Sequence, residues 1–234
     1  MVTCLLEHKK EGGVDLKTEH EILELAFSMF LEKGFSEVST NELIRAAGLT
    51  KGGFYYSFKS REELDQKIIE RYIRPFFTKP VEQMQAVWEG ENQNIATEEL
   101  LWRGFFLPQR FVNFKEALQQ EIAFRNFYFL LYESMKKFPE VICYFQTFSE
   151  ERKACLHRIL ERGQQRGEVL QNIDIENYVT MVLAMQDGIL ALKVLDDGID
   201  DEEKYKRILS QIWMDISAEG FESHRNGGVT SAVS

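Results

Sequence analysis

The sequence predicts an all-α protein, and three observations support this class. Apolar residues recur at intervals of about 3.6 residues in long segments throughout the chain, which places them on single helical faces. The alternating runs of Val, Ile and Thr that are typical of strands do not occur, and the 234 residues include only four prolines. Hydrophobic residues make up 44% of the chain, which is enough for a real core. We therefore expect a folded, helical protein.

The first expected helix spans residues 17–33. Leu23, Ala26 and Phe30 fall on one face of it, and Gly34 is placed to end it as a C-cap. The residues before it, 1–16, carry mixed charge and a pair of glycines with little periodicity, so we expect a flexible arm there.

A short helix and a tight turn follow. Thr40 can cap the helix, and Leu43, Ile44 and Ala47 then lie on its buried face. Gly48 ends it, because glycine adopts the left-handed conformation of a sharp turn without a Cβ clash.

A second short helix begins after this turn, with Thr50 as its cap. Its first residues, Lys51-Gly52-Gly53, leave its N-terminus small, positively charged and able to approach another backbone closely. Phe54 and Phe58 form its expected buried side, so at least one of the two intervening tyrosines should face outward, where its hydroxyl can donate to a phosphate. These features favour a DNA-reading helix-turn-helix, and the alternative is a loop leading into an ordinary core helix.

The string A-A-G-L-T-K-G-G-F-Y-Y-S-F-K-S-R-E-E-L, from Ala46 to Leu64, resembles the N-terminal DNA-binding signature of the TetR family of transcriptional regulators. The resemblance implies a three-helix helix-turn-helix domain at 17–60, a connector helix at 61–78 and a helical effector-binding and dimerisation domain at 79–219. It implies phosphate contacts from Thr40, Tyr55 and Arg61. Contacts with bases or backbone would come from Lys51, Gly52, Gly53 and Tyr56. Arg45 and Lys59 are added from charge and position, and Thr50 and Phe54 complete the expected DNA-binding set.

The charge balance limits how the protein could bind nucleic acid. The net charge of −10 argues against a protein that coats nucleic acid non-specifically, which needs a broad basic surface. Residues 1–75 are nearer to neutral, with 11 Lys and Arg against 13 Asp and Glu. Any DNA contact should therefore be local.

Cofactors, metals and membrane spans are not expected. The three cysteines lack metal-type spacing, and no apolar run marks export or a membrane segment, so we expect a cytoplasmic protein with reduced thiols. The four histidines are scattered and form no catalytic set, which argues against an enzyme. His157 and Glu161 are four residues apart on a helix and could in principle hold a metal, but a surface pair explains them better.

The remainder of the chain reads as helices. We expect them near 80–93, 97–108, 112–137, 139–166, 174–196 and 202–219, after a break between Pro75 and Pro80. The string Gly163-Gln-Gln-Arg-Gly167 is interpreted as a helix end rather than a phosphate loop. The tail at 220–234 is rich in Gly, Ser and Thr and is expected to be disordered.

Aromatic residues are dense between 102 and 148. Such residues at helical spacing are more often plain core than ligand contacts. By resemblance to the family, however, this domain binds a small effector, and the expected pocket residues are Trp102, Phe105, Phe124, Phe127, Tyr128 and Tyr132. Their character points to an apolar or aromatic effector.

The last two expected helices are too apolar for a solvated pair. The resemblance implies that they form a four-helix bundle with a second subunit, and packing within one chain is the alternative. The expected interface residues are Val182, Met185, Ile189, Leu192, Ile208, Ile212 and Trp213.

The sequence thus predicts a homodimeric transcriptional regulator, most simply a repressor released from a palindromic DNA operator by a small-molecule effector. Two alternatives remain open at this stage. One is a helical small-molecule binding protein without DNA recognition, and the other is an all-α enzyme with an unrecognised site.

Overall fold

The computed structural model describes residues 18–89, 95–105, 123–196 and 201–218. The expected arm at 1–16 and the expected tail at 220–234 lie outside these residues. The described part is helical, as predicted, and its only β-type pairing is an isolated antiparallel bridge between Val169 and Ser217. The chain divides after Ile68 into two compact units, and this division falls within the segment 61–78 that the sequence assigns to a connector.

The N-terminal unit contains four helices. They are α1 (Glu19–Lys33), α2 (Thr40–Ala47), α3 (Lys51–Ser57) and α4 (Arg61–Ile68). Helix α1 packs against both α2 and α4. It begins with a reciprocal cap in which the Thr18 hydroxyl accepts from the Glu21 amide and the Glu21 carboxylate accepts from the Thr18 amide.

The turn chemistry between α2 and α3 matches the prediction, with one change. Gly48 is left-handed, with φ of 69°, and its amide donates to the carbonyls of Arg45 and Ile44. Thr50 caps α3 by accepting from the Gly53 amide at 3.1 Å. The cap of α2, however, is Ser39 and not Thr40, since the Ser39 hydroxyl accepts from the Glu42 amide at 3.2 Å. Thr40 is instead the first helical residue, one place along the chain from an equally suitable capping hydroxyl.

A small aromatic core holds the N-terminal unit together. Its rings are all at most 1% exposed: Phe27, Phe30, Phe35, Phe54 and Phe58. The rings of Phe30 and Phe35 lie 4.6 Å apart, and those of Phe54 and Phe58 lie 5.6 Å apart. Burying rings of this size supplies most of the stabilisation available to so small a unit, so the placement of α3 depends on these contacts.

The second unit begins with a π-helix at Ile69–Ile73 and continues as α5 (Arg74–Glu89) and α6 (Thr97–Phe105). After the undescribed residues 106–122 come α7 (Phe124–Lys137), α8 (Pro139–Gln165), α9 (Ile175–Leu195) and α10 (Asp201–Ile216). The long helix α8 is central, because α5, α6, α7 and α9 all pack against it.

The helix break expected between Pro75 and Pro80 is wrong. Helix α5 contains both prolines, and the irregular turn lies earlier, in the π-helix at Ile69–Ile73. Pro75 is the second residue of α5 and directly follows the π-helix, where the regular α-helical bonding pattern is already interrupted. Pro80 does lose one helical bond, and the buried Phe76, Phe77 and Met84 on the same helix supply the packing that offsets the loss.

The string from Gly163 to Gly167 is confirmed as a helix end. Helix α8 stops at Gln165, and Gly167 is left-handed with φ of 71°. Gly163 is a tight-packing position, because a Cβ there would lie 2.5 Å from Val169 Cγ2 and 2.9 Å from Thr97 Cγ2. This glycine therefore lets α8 approach the start of α6 and the chain that follows α8.

Candidate functional site

The exposed side of α3 carries two tyrosines. Tyr56 is 93% exposed and Tyr55 is 49% exposed, which is unusual for large rings and leaves at least the Tyr56 hydroxyl open to solvent. Phe54, between these tyrosines and the core, meets the Tyr55 ring edge-on at 5.4 Å. The helix therefore buries one side and presents two phenol rings on the other.

Three exposed cations lie in the same short region, and two of them, Arg45 and Lys59, help to lower the pKa of the nearby Glu42 and Glu63 carboxyls. Arg45, Lys51 and Lys59 are exposed, and none forms a salt bridge with another residue that the structure describes. Other lysines of this unit are paired: Lys33 lies 2.5 Å from Glu42, and Lys67 contacts Glu19 and Glu63. The exposed cations around α3 are positioned to attract an anionic partner.

None of the residues that the structure describes requires glycine at the start of α3. A Cβ on Gly52 would meet only the Thr50 hydroxyl at 3.9 Å, and one on Gly53 would meet the same oxygen at 3.4 Å. Neither glycine has a positive backbone φ. Since glycine disfavours helix, the pair is a stability cost that the N-terminal unit itself does not explain. A close approach by a partner would explain it.

Phe54 was expected to contact DNA, and the structure corrects this. Its ring is 0% exposed and belongs to the core, so it can orient α3 but cannot reach a ligand. Of the remaining expected contacts on and beside α3, Thr50, Lys51 and Gly52 are exposed, while Thr40 and Gly53 are partly buried.

Arg61 also has a different position from the one expected. Its guanidinium donates to the carbonyls of Val38 at 2.5 Å and Phe35 at 3.1 Å, and its Nε donates to Asp65 at 2.6 Å. The same group lies over the Phe30 ring. Because its nitrogens are turned inward, Arg61 fastens the start of α4 to the chain between α1 and α2 instead of facing a phosphate.

A cavity of about 170 Å³ lies within the second unit, between α5, α7, α8 and α9. Aromatic rings form most of its wall: Phe76, Phe77, Tyr128, Tyr132, Phe145 and Phe148. Tyr132, Phe145 and Asp187 are partly solvent-exposed, so the cavity meets solvent on their side. A partly open, mostly apolar space with a few polar groups is the kind of place where a small molecule can bind.

Only two of the expected pocket residues, Tyr128 and Tyr132, line this cavity. Phe127 lies behind its wall, fully buried with its ring 4.9 Å from that of Phe76. Phe124 contacts Tyr128, and Trp102 packs against a separate cluster of Ile189, Tyr205 and Leu209. The side chain of Phe105 lies outside the described residues.

Sequence reasoning missed Arg152, which lines the cavity and is only 4% exposed. A signal for it was present. Arg152 stands on the apolar stripe of α8 that includes Phe148, Cys155 and Leu156, at helical spacing. A charged residue on such a stripe is rare, and it indicates either a buried pair or a binding site.

The expected dimer residues divide into two groups. Val182, Ile189 and Ile212 are at most 7% exposed within one chain, and Met185 and Trp213 are partly buried. Leu192 and Ile208 are 50% and 39% exposed. Three further apolar residues on the same helices are exposed: Met181, Leu195 and Met214.

Helix α9 alone among the described helices is long and apolar enough to cross a bilayer, with a mean hydropathy of 1.5 in its most apolar window. Only 28% of that window is buried within the chain, and buried or interface helices of soluble proteins meet the same criterion.

His157 and Glu161 form a surface pair at 3.4 Å, as expected. Among the described residues no group of His, Cys, Asp and Glu could hold a metal ion.

The fold and the exposed face of α3 define a helix-turn-helix protein with an added helical domain. The sequence profile described as bacterial regulatory proteins, tetR family, matches residues 22–66. The match places residues 22–66 in this family, and the relatives and solved structures that are similar to the chain include transcriptional regulators.

Among curated relatives, the A-factor receptor protein of Streptomyces griseus is 26% identical over 208 residues, which are 84% of this chain and 64% of that receptor. The regulator AcrR of Shigella flexneri is 37% identical over 54 residues, 23% of this chain and 25% of AcrR. The chain thus matches less than two thirds of the length of either relative. Among solved structures, the ketosteroid transcriptional regulator KstR2 of Mycobacterium tuberculosis has the same fold, with a TM-score of 0.58 and 15% identity over 88% of this chain and 97% of that one.

Proposed function

We propose that this protein is a ligand-responsive transcriptional repressor that binds a palindromic DNA operator as a homodimer. The observation that carries the proposal is the outward face of α3. This face combines two exposed tyrosines and three exposed cations. The helix also has a capped N-terminus with two glycines that none of the described residues requires. These groups suit close approach to a phosphate backbone and entry into a major groove.

The proposed DNA contacts are assigned by position. Tyr55 and Tyr56 donate to phosphates or bases, and Lys51 and Gly52 lie at the end of the helix that enters the groove. Arg45 and Lys59 attract the backbone on either side. Thr40 and Gly53, being partly buried, contribute through their backbone and hydroxyl groups at the edge of this surface. Arg61 and Phe54 position α3 without touching DNA.

The proposed dimer forms through α9 and α10. Their exposed apolar residues, including Leu192, Leu195 and Ile208, would be covered by the same helices of a second subunit. A two-fold axis then presents two copies of α3 to half-sites about 34 Å apart. Sedimentation of the purified protein tests this part, and Leu195→Glu should shift a dimer towards monomer.

The cavity in the second unit is the proposed effector site. The likeness to the A-factor receptor protein, whose name describes a receptor, supports ligand binding by the corresponding part of this chain. Effector binding would favour a conformer in which the two recognition helices no longer match adjacent major grooves, so operator affinity falls. The family association also suggests a cytoplasmic location.

Selection of bound duplexes from a random DNA pool tests the proposal, followed by a salt titration of the enriched duplex. A palindromic consensus with salt-sensitive affinity is the expected result. Lys51→Ala should lower the salt slope by about 1 for each phosphate contact that is lost. Lys136→Ala, an equal charge change on an exposed residue of the second unit, should leave the slope unchanged.

A second candidate function is the binding of a small molecule by a helical protein that does not recognise DNA. The observation that favours this candidate is the cavity. If no duplex is enriched, even from protein cleared of bound small molecules, the repressor proposal fails and this candidate replaces it.

A further inference from the structure

The cavity contains a buried guanidinium in an otherwise mostly apolar wall. Arg152 is 4% exposed, and burying a charge without partners is costly. The structure supplies two partners: Gln186 Oε1 accepts from Arg152 at 2.5 Å, and Asp187 Oδ1 lies 3.2 Å from it. The guanidinium also lies over the Phe148 ring at 5.1 Å, so its position and plane are fixed by contacts on several sides.

One donor of this group is left over. The Nε of Arg152 is buried and has no hydrogen-bond partner among the residues that the structure describes. A guanidinium has five N–H donors in a planar fork, and an unused buried one carries the cost of its lost hydration. Arg152 lines the cavity, so a ligand with an acceptor oxygen can approach its guanidinium, and an oxygen that reaches Nε would remove this cost.

The charges around the cavity indicate which acceptor fits. Arg152 and Asp187 are the only charged residues among those that line it, and they already form a pair. A ligand carboxylate at Arg152 would place a second negative charge beside Asp187, and a ligand cation would face Arg152. An uncharged oxygen acceptor avoids both repulsions.

Two buried residues, Gln186 and Tyr205, position the Arg152 side chain. The Gln186 side chain uses its oxygen to accept from Arg152 and its nitrogen to donate to the Tyr205 hydroxyl, so both ends of the amide are engaged. Gln186 and Tyr205 are at most 1% exposed. Tyr205 belongs to the cluster with Ile189 and Leu209, where α9 packs against α10. Two hydrogen bonds therefore connect the guanidinium to the helix pair that we assign to the dimer interface.

We propose that the cavity binds an uncharged, mainly apolar small molecule with one carbonyl-type oxygen, and that Arg152 donates a hydrogen bond to that oxygen. Aromatic rings enclose the apolar body of the ligand, and Gln186 and Tyr205 position the arginine. The proposal rests on the proposed function in one respect only, since it names the chemical class of the effector.

Three probes of nearly equal shape test the proposal by calorimetry on the full chain. Benzylacetone carries a ketone, hydrocinnamate carries a carboxylate in its place, and isopentylbenzene has a branched hydrocarbon there. The wild-type protein should bind benzylacetone roughly tenfold more tightly than either comparison compound, because only the ketone satisfies the buried donor without meeting Asp187. Tightest binding of hydrocinnamate, equal binding of all three, or no binding of any would each overturn the proposal.

Two variants locate the effect. Arg152→Met should lower the affinity for benzylacetone roughly tenfold and change the affinity for isopentylbenzene by no more than about twofold. Met135→Leu, a volume-conserving change in the same wall, should leave the ranking of the three probes as in the wild type. An Arg152→Met variant that keeps the preference for the ketone would show that the arginine is not the donor. If that variant does not fold, the ranking in the wild-type protein still decides.

The same protein preparations separate this inference from the proposed function. If an operator is enriched but the protein shows no preference for the ketone, the proposed ligand class is wrong and the repressor proposal stands. If the protein clearly prefers the ketone but no DNA is enriched, the proposed ligand site stands and the repressor proposal is wrong.

Discussion

Gly52→Ala should stabilise the protein and weaken its binding to DNA. Replacing glycine by alanine in the first turn of a helix gains about 0.5 kcal/mol, because the unfolded chain loses conformational freedom and the helix gains propensity. The added Cβ would meet only the Thr50 hydroxyl, at 3.9 Å, so no clash within the chain opposes this gain. For a unit of this size the gain corresponds to a rise in Tm of about 2–4 °C.

The effect on DNA has the opposite sign. If the backbone of Gly52 approaches a phosphate or a base edge closely, a methyl group there should cost about tenfold in affinity for each recognition helix, and about a hundredfold for a dimer. Melting curves give the first quantity, and titration of a labelled operator at fixed salt gives the second. Because the variant is more stable than the wild type, a loss of affinity could not be attributed to unfolding.

Ser28→Ala is the matched control for this prediction. Ser28 is exposed on α1 in the same unit, and its replacement gains a similar helix propensity without a change on α3. It should raise Tm by a comparable amount and leave operator affinity unchanged. If Gly52→Ala binds the operator as tightly as Ser28→Ala does, the glycine pair does not serve close approach and the argument from it is wrong.

Three further predictions concern stability and the role of an arginine. Gly163→Ala should lower the free energy of unfolding by about 1–3 kcal/mol in denaturant titrations, because its Cβ would lie 2.5 Å from Val169, and a neutral result would contradict this packing. Arg61→Met should lower the free energy of unfolding by about 2 kcal/mol, since it removes the charged hydrogen bond to the buried Asp65 carboxylate and the two bonds to backbone carbonyls. The salt slope of operator binding should stay as in the wild type, and a lower slope would restore Arg61 as a phosphate contact. The Lys59 amide donates a hydrogen bond to the Glu63 carboxylate and lowers its pKa below the ordinary value of 4.5. The stability that this carboxylate contributes is therefore present above pH 4.5 and is lost as the pH falls through the lowered pKa. Tm should therefore decrease less steeply below about pH 4.5 in Glu63→Gln than in the wild type, and equal slopes would rule out this linkage.

The helix-turn-helix could be predicted closely because its determinants are local. Gly48 and Thr50 act within one or two turns of their own positions, and the periodicity of Leu43, Ile44 and Ala47 directly marks a buried face. The errors there were also local. Ser39 and Thr40 are adjacent hydroxyls, and chain order alone does not decide which of them caps the helix.

The cavity could not be predicted in the same way, because its walls come from four helices far apart in the chain. Phe127 and Tyr128 are neighbours in sequence, yet one is core and the other lines the cavity. The difference depends on which side of α7 faces α5 and α8. Similarly, α9 is apolar on more than one side, so the periodicity that identified the helix did not separate buried Val182 from exposed Met181.

The corner around Gly163 has a consequence for the order in which the chain can fold during synthesis. It joins distant segments: the Thr97 amide donates to the Glu168 carboxylate, the Ala218 amide donates to the Glu168 carbonyl, and Val169 pairs with Ser217. The first contact needs the chain to residue 168 and the other two cannot form until residue 218 has left the ribosome, whereas the compact N-terminal unit ends at residue 68. A nascent chain therefore acquires its helix-turn-helix well before it can close the helical domain.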